Sequence, residues 1–124
     1  MNTEIERLVK ENLEFHSLNK KIESKFGLSL VQYHLLSTLK DMPGSSPQQI
    51  ANAIGMHPST LTQSLKLLHR KNTIFVTDDP RDKRKKFLSI TRHGYELLIR
   101  AACGIEALLS QNKSLKHSTK SCGN

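Results

Sequence analysis

Basic side chains are concentrated in one stretch of the chain. Residues 66–92 hold nine lysines and arginines against three aspartates, a local net charge of +6 out of +8 for the whole chain. Five of these cations occupy six consecutive positions, as Arg81, Lys83, Arg84, Lys85 and Lys86. Cations at this density repel one another unless an anion lies against them. The stretch therefore predicts a polyanionic partner, such as nucleic acid or an acidic membrane surface.

Polar side chains lie just before this stretch, at helical spacing. Leu61, Leu65 and Leu68 recur at i, i+4 and i+7, which predicts a helix over 58–71 with one face in the core. The opposite face carries Ser59, Thr60, Thr62, Gln63, Lys66 and Arg70. Such side chains fit a major groove about 12 Å wide, where an amide can read adenine and hydroxyls can hold phosphates. Taken alone, the serine and threonines fit a second interpretation equally well, in which they cap the start of the helix and face water.

The preceding elements are predicted to be helices. An amphipathic pattern covers 3–26, and Ser29 with Gln32 forms a capping box that opens a helix over 29–40. A second box, Ser46 with Gln49, opens a helix over 47–54, which Gly55 ends. The inner face of helix 29–40 is predicted to contain Val31, Leu35, Leu36 and Leu39. Helices 47–54 and 58–71, joined by a short turn with glycine, match a helix-turn-helix, although His57 is a weaker N-cap than serine or aspartate.

The basic stretch is predicted to be a β-hairpin over 73–90. Asn72 suits a left-handed helix end, and β-prone residues on both sides enclose the charged loop. Thr91 is placed to cap a last helix over 92–109, and the polar residues 110–124 are expected to be a disordered tail. The predicted fold class is mainly α with a small β-hairpin. Residues 1–109 form one winged helix-turn-helix domain whose N- and C-terminal helices are available for dimerisation.

Four segments of the sequence resemble the MarR family (multiple antibiotic resistance regulators). They are Gly55–Gln63, Lys71–Ile74, Asp79–Arg84 and Leu88–Gly94, which resemble that family's recognition helix, helix end, wing and wing-to-helix junction. The most specific part is Asp82-Lys83-Arg84 followed by Ile90-Thr91-x-x-Gly94. Gln63, Val76 and Asn72 depart from the residues most frequent in the family.

The resemblance implies a transcription regulator that binds double-stranded DNA, such as a repressor. Arg84 would enter the minor groove, and Asp82 would support it by fixing its direction. The terminal helices would pair with those of a second subunit in a C2 homodimer. A small aromatic effector could bind in the crevice near Phe15, His16, Tyr33 and His34, although Tyr33 and His34 fit equally well as packing residues.

Other classes of function have little support in the sequence. We expect no enzyme, metal or cofactor, because the six histidines and two cysteines lack ligand spacing and no nucleophile or phosphate-loop motif occurs. No apolar run approaches the roughly 20 residues that cross a bilayer, so we expect no membrane partner and a cytoplasmic location. The alternative is a winged-helix module for protein-protein interaction that places its basic wing on an acidic partner.

Overall fold

The computed structural model describes residues 3–111. Over this range the chain forms helices α1 (Thr3–Phe26), α2 (Leu30–Asp41), α3 (Pro47–Ile54) and α4 (Pro58–Arg70), strands β1 (Ile74–Asp78) and β2 (Lys86–Ile90), and helix α5 (Arg92–Gln111). This order confirms the predicted fold class, a mainly helical winged helix-turn-helix with one β-hairpin.

Local hydrogen bonds fix the starts and ends of the helices as predicted. Ser29 and Gln32 form a complete capping box at α2, and Ser46 and Gln49 form another at α3. In each box the serine Oγ accepts from the backbone N–H three residues on, and the backbone N–H of the serine donates to the glutamine Oε1, so that two otherwise unsatisfied donors are paired. Gly55 ends α3 with φ of 70°, a left-handed conformation that costs glycine little.

The core forms around α2, and here one prediction is wrong. Leu35, Leu36 and Leu39 are fully buried, but Val31 is 40% exposed and its neighbour Gln32 is only 5% exposed. The amide is tolerated inside because its Oε1 accepts from Lys71 Nζ at 3.0 Å and from the Ser29 backbone N–H at 3.3 Å. A buried polar atom with hydrogen-bond partners avoids the cost of an unsatisfied one.

The hairpin pairs β1 and β2 antiparallel, with Ile74 opposite Ile90 and Asp78 opposite Lys86. Ser45, in the loop between α2 and α3, adds a bridge to this sheet: Leu88 N–H donates to Ser45 O at 2.7 Å, and Gly44 N–H donates to Leu88 O at 2.9 Å. The bridge therefore attaches strand β2 of the wing to the loop that precedes α3.

Some boundaries differ from the predicted ones. Helix α4 ends at Arg70, and Lys71 is its cap. Helix α5 continues through Ser110 and Gln111, which were expected in the disordered tail. The helix thus extends two residues beyond the apolar pattern that predicted it. The rest of the expected tail, 112–124, lies outside the described residues. None of the helices in 3–111 is long and apolar enough to cross a membrane.

The first half of α1 contributes no residue to the core of the described range. All residues from 3 to 17 are exposed, and only Leu18 and Ile22 of this helix are buried. The exposed set includes four large aliphatic side chains that are more than half accessible, Ile5, Leu8, Val9 and Leu13. An apolar stripe of this length left open to water is typical of a partner surface.

Candidate nucleic-acid interface

Helix α4 presents a polar face to solvent. Leu61, Leu65 and Leu68 are buried on its inner side. Every outward residue predicted for the site is exposed, namely Ser59, Thr60, Thr62, Gln63, Lys66 and Arg70. The leucine spacing, which seats one side of the helix on the core, is what turns these residues outward.

The hydroxyls of Thr62 and Ser59 are already hydrogen-bonded within the protein. Thr62 Oγ1 donates to the Pro58 carbonyl at 2.9 Å, so its hydroxyl can only accept a further hydrogen bond. Ser59 Oγ lies 2.8 Å from His57 Nδ1, and the Ser59 backbone N–H donates to the same nitrogen at 3.2 Å. His57 therefore caps α4, although histidine is a weaker N-cap than serine or aspartate.

The wing loop is built on Asp82. Its Oδ1 accepts from the Arg84 backbone N–H at 3.0 Å and from Arg84 Nε at 3.2 Å, and its Oδ2 accepts from Arg84 Nη2 at 3.4 Å. The side-chain hydrogen bond from Arg84, followed by the backbone bond, lowers the pKa of Asp82 below its usual range. Since the Arg84 side chain is 91% accessible, Asp82 directs the guanidinium without covering it.

The other loop residues are held by short-range bonds. Asp79 Oδ1 accepts from the Arg81 backbone N–H at 2.8 Å, and Asp79 N–H donates to Lys85 O at 3.0 Å. At the strand ends Lys86 Nζ pairs with Asp78 Oδ1 at 2.6 Å. The loop therefore has a defined backbone, with Arg81, Lys83, Arg84 and Lys85 exposed at its surface.

The wing and α4 lie side by side. An open cleft of about 400 Å³ separates them, lined from α4 by Thr62, Leu65, Lys66 and His69 and from the hairpin by Val76, Lys86 and Leu88, with Pro47. A second cleft, of about 610 Å³, places Arg84, Lys85 and Lys86 against the first turn of α3. The polar helix face and the cationic loop thus border one continuous surface.

This surface carries little negative charge. No aspartate or glutamate occurs from residue 42 to residue 77, which includes all of α3 and α4. Two of the three wing aspartates, Asp78 and Asp82, are paired with Lys86 and Arg84. An anion approaching α4 and the wing therefore meets cations and neutral polar groups, which raises its local concentration.

Two residues outside the predicted set also hold this surface. His57 orients Ser59, as described above, and Lys71 Nζ donates to Gly27 O at 2.7 Å as well as to Gln32. The Lys71 bonds span 44 and 39 residues, so no local pattern in the sequence could have indicated them. The N-cap position of His57 was visible, but not its bond to Ser59.

The chain is a winged helix-turn-helix protein in which the polar face of α4 lies beside a cationic wing. The MarR family model matches residues 28–86. The regulator named "HTH-type transcriptional regulator Hpr" from Bacillus mycoides (strain KBAB4) is 32% identical over 75 residues, which are 60% of this chain and 40% of that relative. The chain thus spans less than half the length of the curated relatives it matches.

Solved structures share the fold over most of the chain. A mutant MarR from E. coli complexed with operator DNA aligns with a TM-score of 0.72 at 19% identity, covering 90% of this chain and 82% of that one. The S. aureus MepR–DNA complex aligns with a TM-score of 0.67 at 24% identity, covering 90% and 85%. The family match over 28–86 covers 59 of the 124 residues, just under half of the chain. The curated relatives are named as transcriptional regulators.

Within 3–111 no three side chains of histidine, cysteine, aspartate or glutamate come together in a way that could hold an ion. Cys103 is a free, partly buried thiol on α5.

Proposed function

We propose that this chain is a sequence-specific regulator that binds double-stranded DNA, with α4 in the major groove and the wing in the adjacent minor groove. The observation that carries the proposal is the shared border of the two surfaces: Lys66 of α4 and Lys86 of the wing line one cleft. Two MarR-family regulators whose fold this chain shares were solved on DNA. The cytoplasmic location predicted from the sequence is part of this proposal.

The roles proposed for individual residues follow from their chemistry. Arg84, directed by Asp82, enters the minor groove, where a narrow A·T-rich segment attracts arginine most strongly. Gln63 reads a base edge, because its amide can donate and accept at once. Thr60, Lys66, Arg70, Arg81, Lys83 and Lys85 contact phosphates. Ser59 and Thr62, whose hydroxyl oxygens are free to accept, contact base edges or a thymine methyl instead.

Fluorescence anisotropy with an A·T-rich duplex at two salt concentrations tests this proposal. If about four to six phosphates are neutralised per subunit, log K falls against log salt with a slope near −4 to −5, and twice that for a dimer. Arg84→Ala should weaken binding about tenfold and reduce the slope by about one. Arg100→Ala, which removes an exposed cation of α5, is the matched control and should change neither. Absence of binding at low salt, or equal affinity of the Arg84 variant and wild type, contradicts the proposal.

A homodimer is part of the proposal. On α1 the side chains of Leu8, Val9 and Leu13 are more than half exposed, and α5 adds Tyr95 and Ile99, which are 46% and 47% exposed. A second copy of the chain would cover both and set two α4 helices about 34 Å apart, one duplex turn. Sedimentation of Leu8→Glu should show a shift towards monomer, whereas Lys20→Glu, on an exposed position of the same helix, should sediment like wild type.

Repression and a small aromatic effector are predictions of the same kind. A regulator that occupies DNA as a dimer represses when its site overlaps that of the transcription machinery. Phe15 and His16 are exposed on α1, and His34 is exposed on α2, so these side chains are accessible to a ligand at the dimer interface. Isothermal titration with aromatic carboxylates tests this prediction directly.

The alternative, a protein-interaction module, is favoured by one observation on the wing. Phe75 and Phe87 are 59% and 37% exposed. They lie on neighbouring positions of the same hairpin face, because Phe75 pairs with Ser89 and Thr77 pairs with Phe87. Aromatic residues are enriched in protein interfaces. Phe75→Ser should leave DNA affinity unchanged if the wing serves DNA as proposed.

A further inference from the structure

The N-terminus of α4 contains an imidazole that acts on a predicted contact residue. His57 Nδ1 accepts from the Ser59 backbone N–H at 3.2 Å, so this nitrogen carries a lone pair and no proton. The neutral ring then has its proton on Nε2. Ser59 Oγ lies 2.8 Å from the same Nδ1, and two lone pairs would repel at that distance. The Ser59 hydroxyl therefore donates to His57 and keeps only acceptor capacity towards solvent.

Protonation of His57 reverses this arrangement. An imidazolium carries protons on both nitrogens, so Nδ1 gives up the bond from the Ser59 backbone N–H and donates to Ser59 Oγ instead. The Ser59 hydroxyl proton then no longer points at His57. The Ser59 hydroxyl can then donate to an anionic oxygen, and the ring itself contributes a positive charge at the helix start. The same two residues thus present an acceptor when the ring is neutral and two donors with a charge when it is protonated.

His57 has no ion-pair partner among the described residues. Its ring is exposed. Helices α3 and α2 and strand β1 pack against α4. Helix α3 has no titratable side chain, β1 has only Asp78, which Lys86 holds, and α2 has Tyr33, His34, Lys40 and Asp41. On α4 itself the charged or titratable groups are Lys66, His69 and Arg70.

We propose that His57 is a further residue of the DNA interface, a positioning residue that sets whether Ser59 accepts a hydrogen bond from DNA or donates one to a phosphate. This inference rests on the proposed function, since it needs a duplex against the start of α4. It makes DNA binding proton-linked: the phosphate-gripping form is the protonated one, so affinity rises as pH falls.

The test compares wild type with His57→Asn at about pH 8 and about pH 6. Asparagine is a preferred N-cap whose Oδ1 can accept from the Ser59 N–H, but it does not titrate in this range. The probe is a duplex of about three helical turns that the wild-type chain selects from a random pool. At about 0.1 M salt, wild type should bind roughly fivefold more tightly at the lower pH, as for one additional neutralised phosphate.

The variant should match wild type at the higher pH and lose most of the gain at the lower one. His93→Asn, which replaces an exposed histidine on α5, is the control and should keep the wild-type response. Circular dichroism confirms that each variant is folded. If His57→Asn gains as much affinity as wild type, His57 is only a cap and the inference fails while DNA binding stands. If wild type selects no duplex at all, the proposed function and the inference fail together.

The tautomer gives an independent readout. Nitrogen NMR of the free protein at about pH 8 should show Nδ1 of His57 unprotonated and Nε2 protonated. A protonated Nδ1 in the neutral ring would overturn the assignment of Ser59 as a donor to His57.

Discussion

Lys71 connects the end of α4 to the joint between α1 and α2, and its removal should be measurable. The Nζ of Lys71 donates to Gly27 O at 2.7 Å and to Gln32 Oε1 at 3.0 Å. Lys71→Met keeps the apolar stem and removes both bonds. A hydrogen bond to a charged group contributes about 1.5–3 kcal/mol when shielded from water.

The expected loss is smaller than the sum of two such bonds. Gly27 is exposed, so water replaces Lys71 at its carbonyl. Gln32 is 5% exposed and keeps only the long bond from the Ser29 N–H. The free energy of unfolding should therefore fall by about 2 kcal/mol, chiefly through the unsatisfied amide oxygen.

Urea unfolding followed by circular dichroism measures this loss. Lys66→Met is the matched control, because Lys66 is an exposed lysine of α4 and surface substitutions usually stay within about 0.5 kcal/mol. Gln32→Leu in the Lys71→Met background should recover part of the stability, since it removes the orphaned amide. If the two lysine variants unfold at the same urea concentration, the Lys71 bonds do not stabilise the fold and the reasoning is wrong.

Two further predictions concern the wing. Gly94→Ala should destabilise the chain by about 3 kcal/mol or more, because the added Cβ would overlap the Thr73 carbonyl oxygen, which accepts a hydrogen bond from the Thr91 N–H. Thermal unfolding measures this loss. Gly44→Ala is the control, because the space there is open and only the φ of 78° is strained, so the comparison separates steric overlap from backbone strain. NMR titration should show Asp82 with a pKa below that of ordinary exposed aspartates, and Arg84→Ala should raise it. Because the folded pKa is lowered, the Asp82–Arg84 contribution is present above the ordinary aspartate pKa and is lost as pH falls through the folded value; an unchanged titration in the variant would contradict the assignment of cause.

The local features of this protein were determined by its sequence. The capping boxes at Ser29 and Ser46, the left-handed Gly55 and Asn72, and the Thr91 cap, whose Oγ1 accepts from the Gly94 N–H at 2.9 Å, all form as predicted. Each is closed within three or four residues, so its energy depends on neighbours that the sequence shows directly. The leucine spacing of α4 likewise determined which of its residues face outward.

Only the tertiary structure decided the long-range contacts. At the inner face of α2 the buried residue is Gln32 and not the predicted Val31. The Gln32 amide can be buried there because Lys71, 39 residues further along the chain, donates a hydrogen bond to it. The Ser45 bridge to Leu88 and the cleft that joins α4 to the wing also depend on how distant elements pack. Helical periodicity defines a face only to within one residue, and which neighbour is buried depends on the partner that packing supplies, a choice that no local pattern encodes.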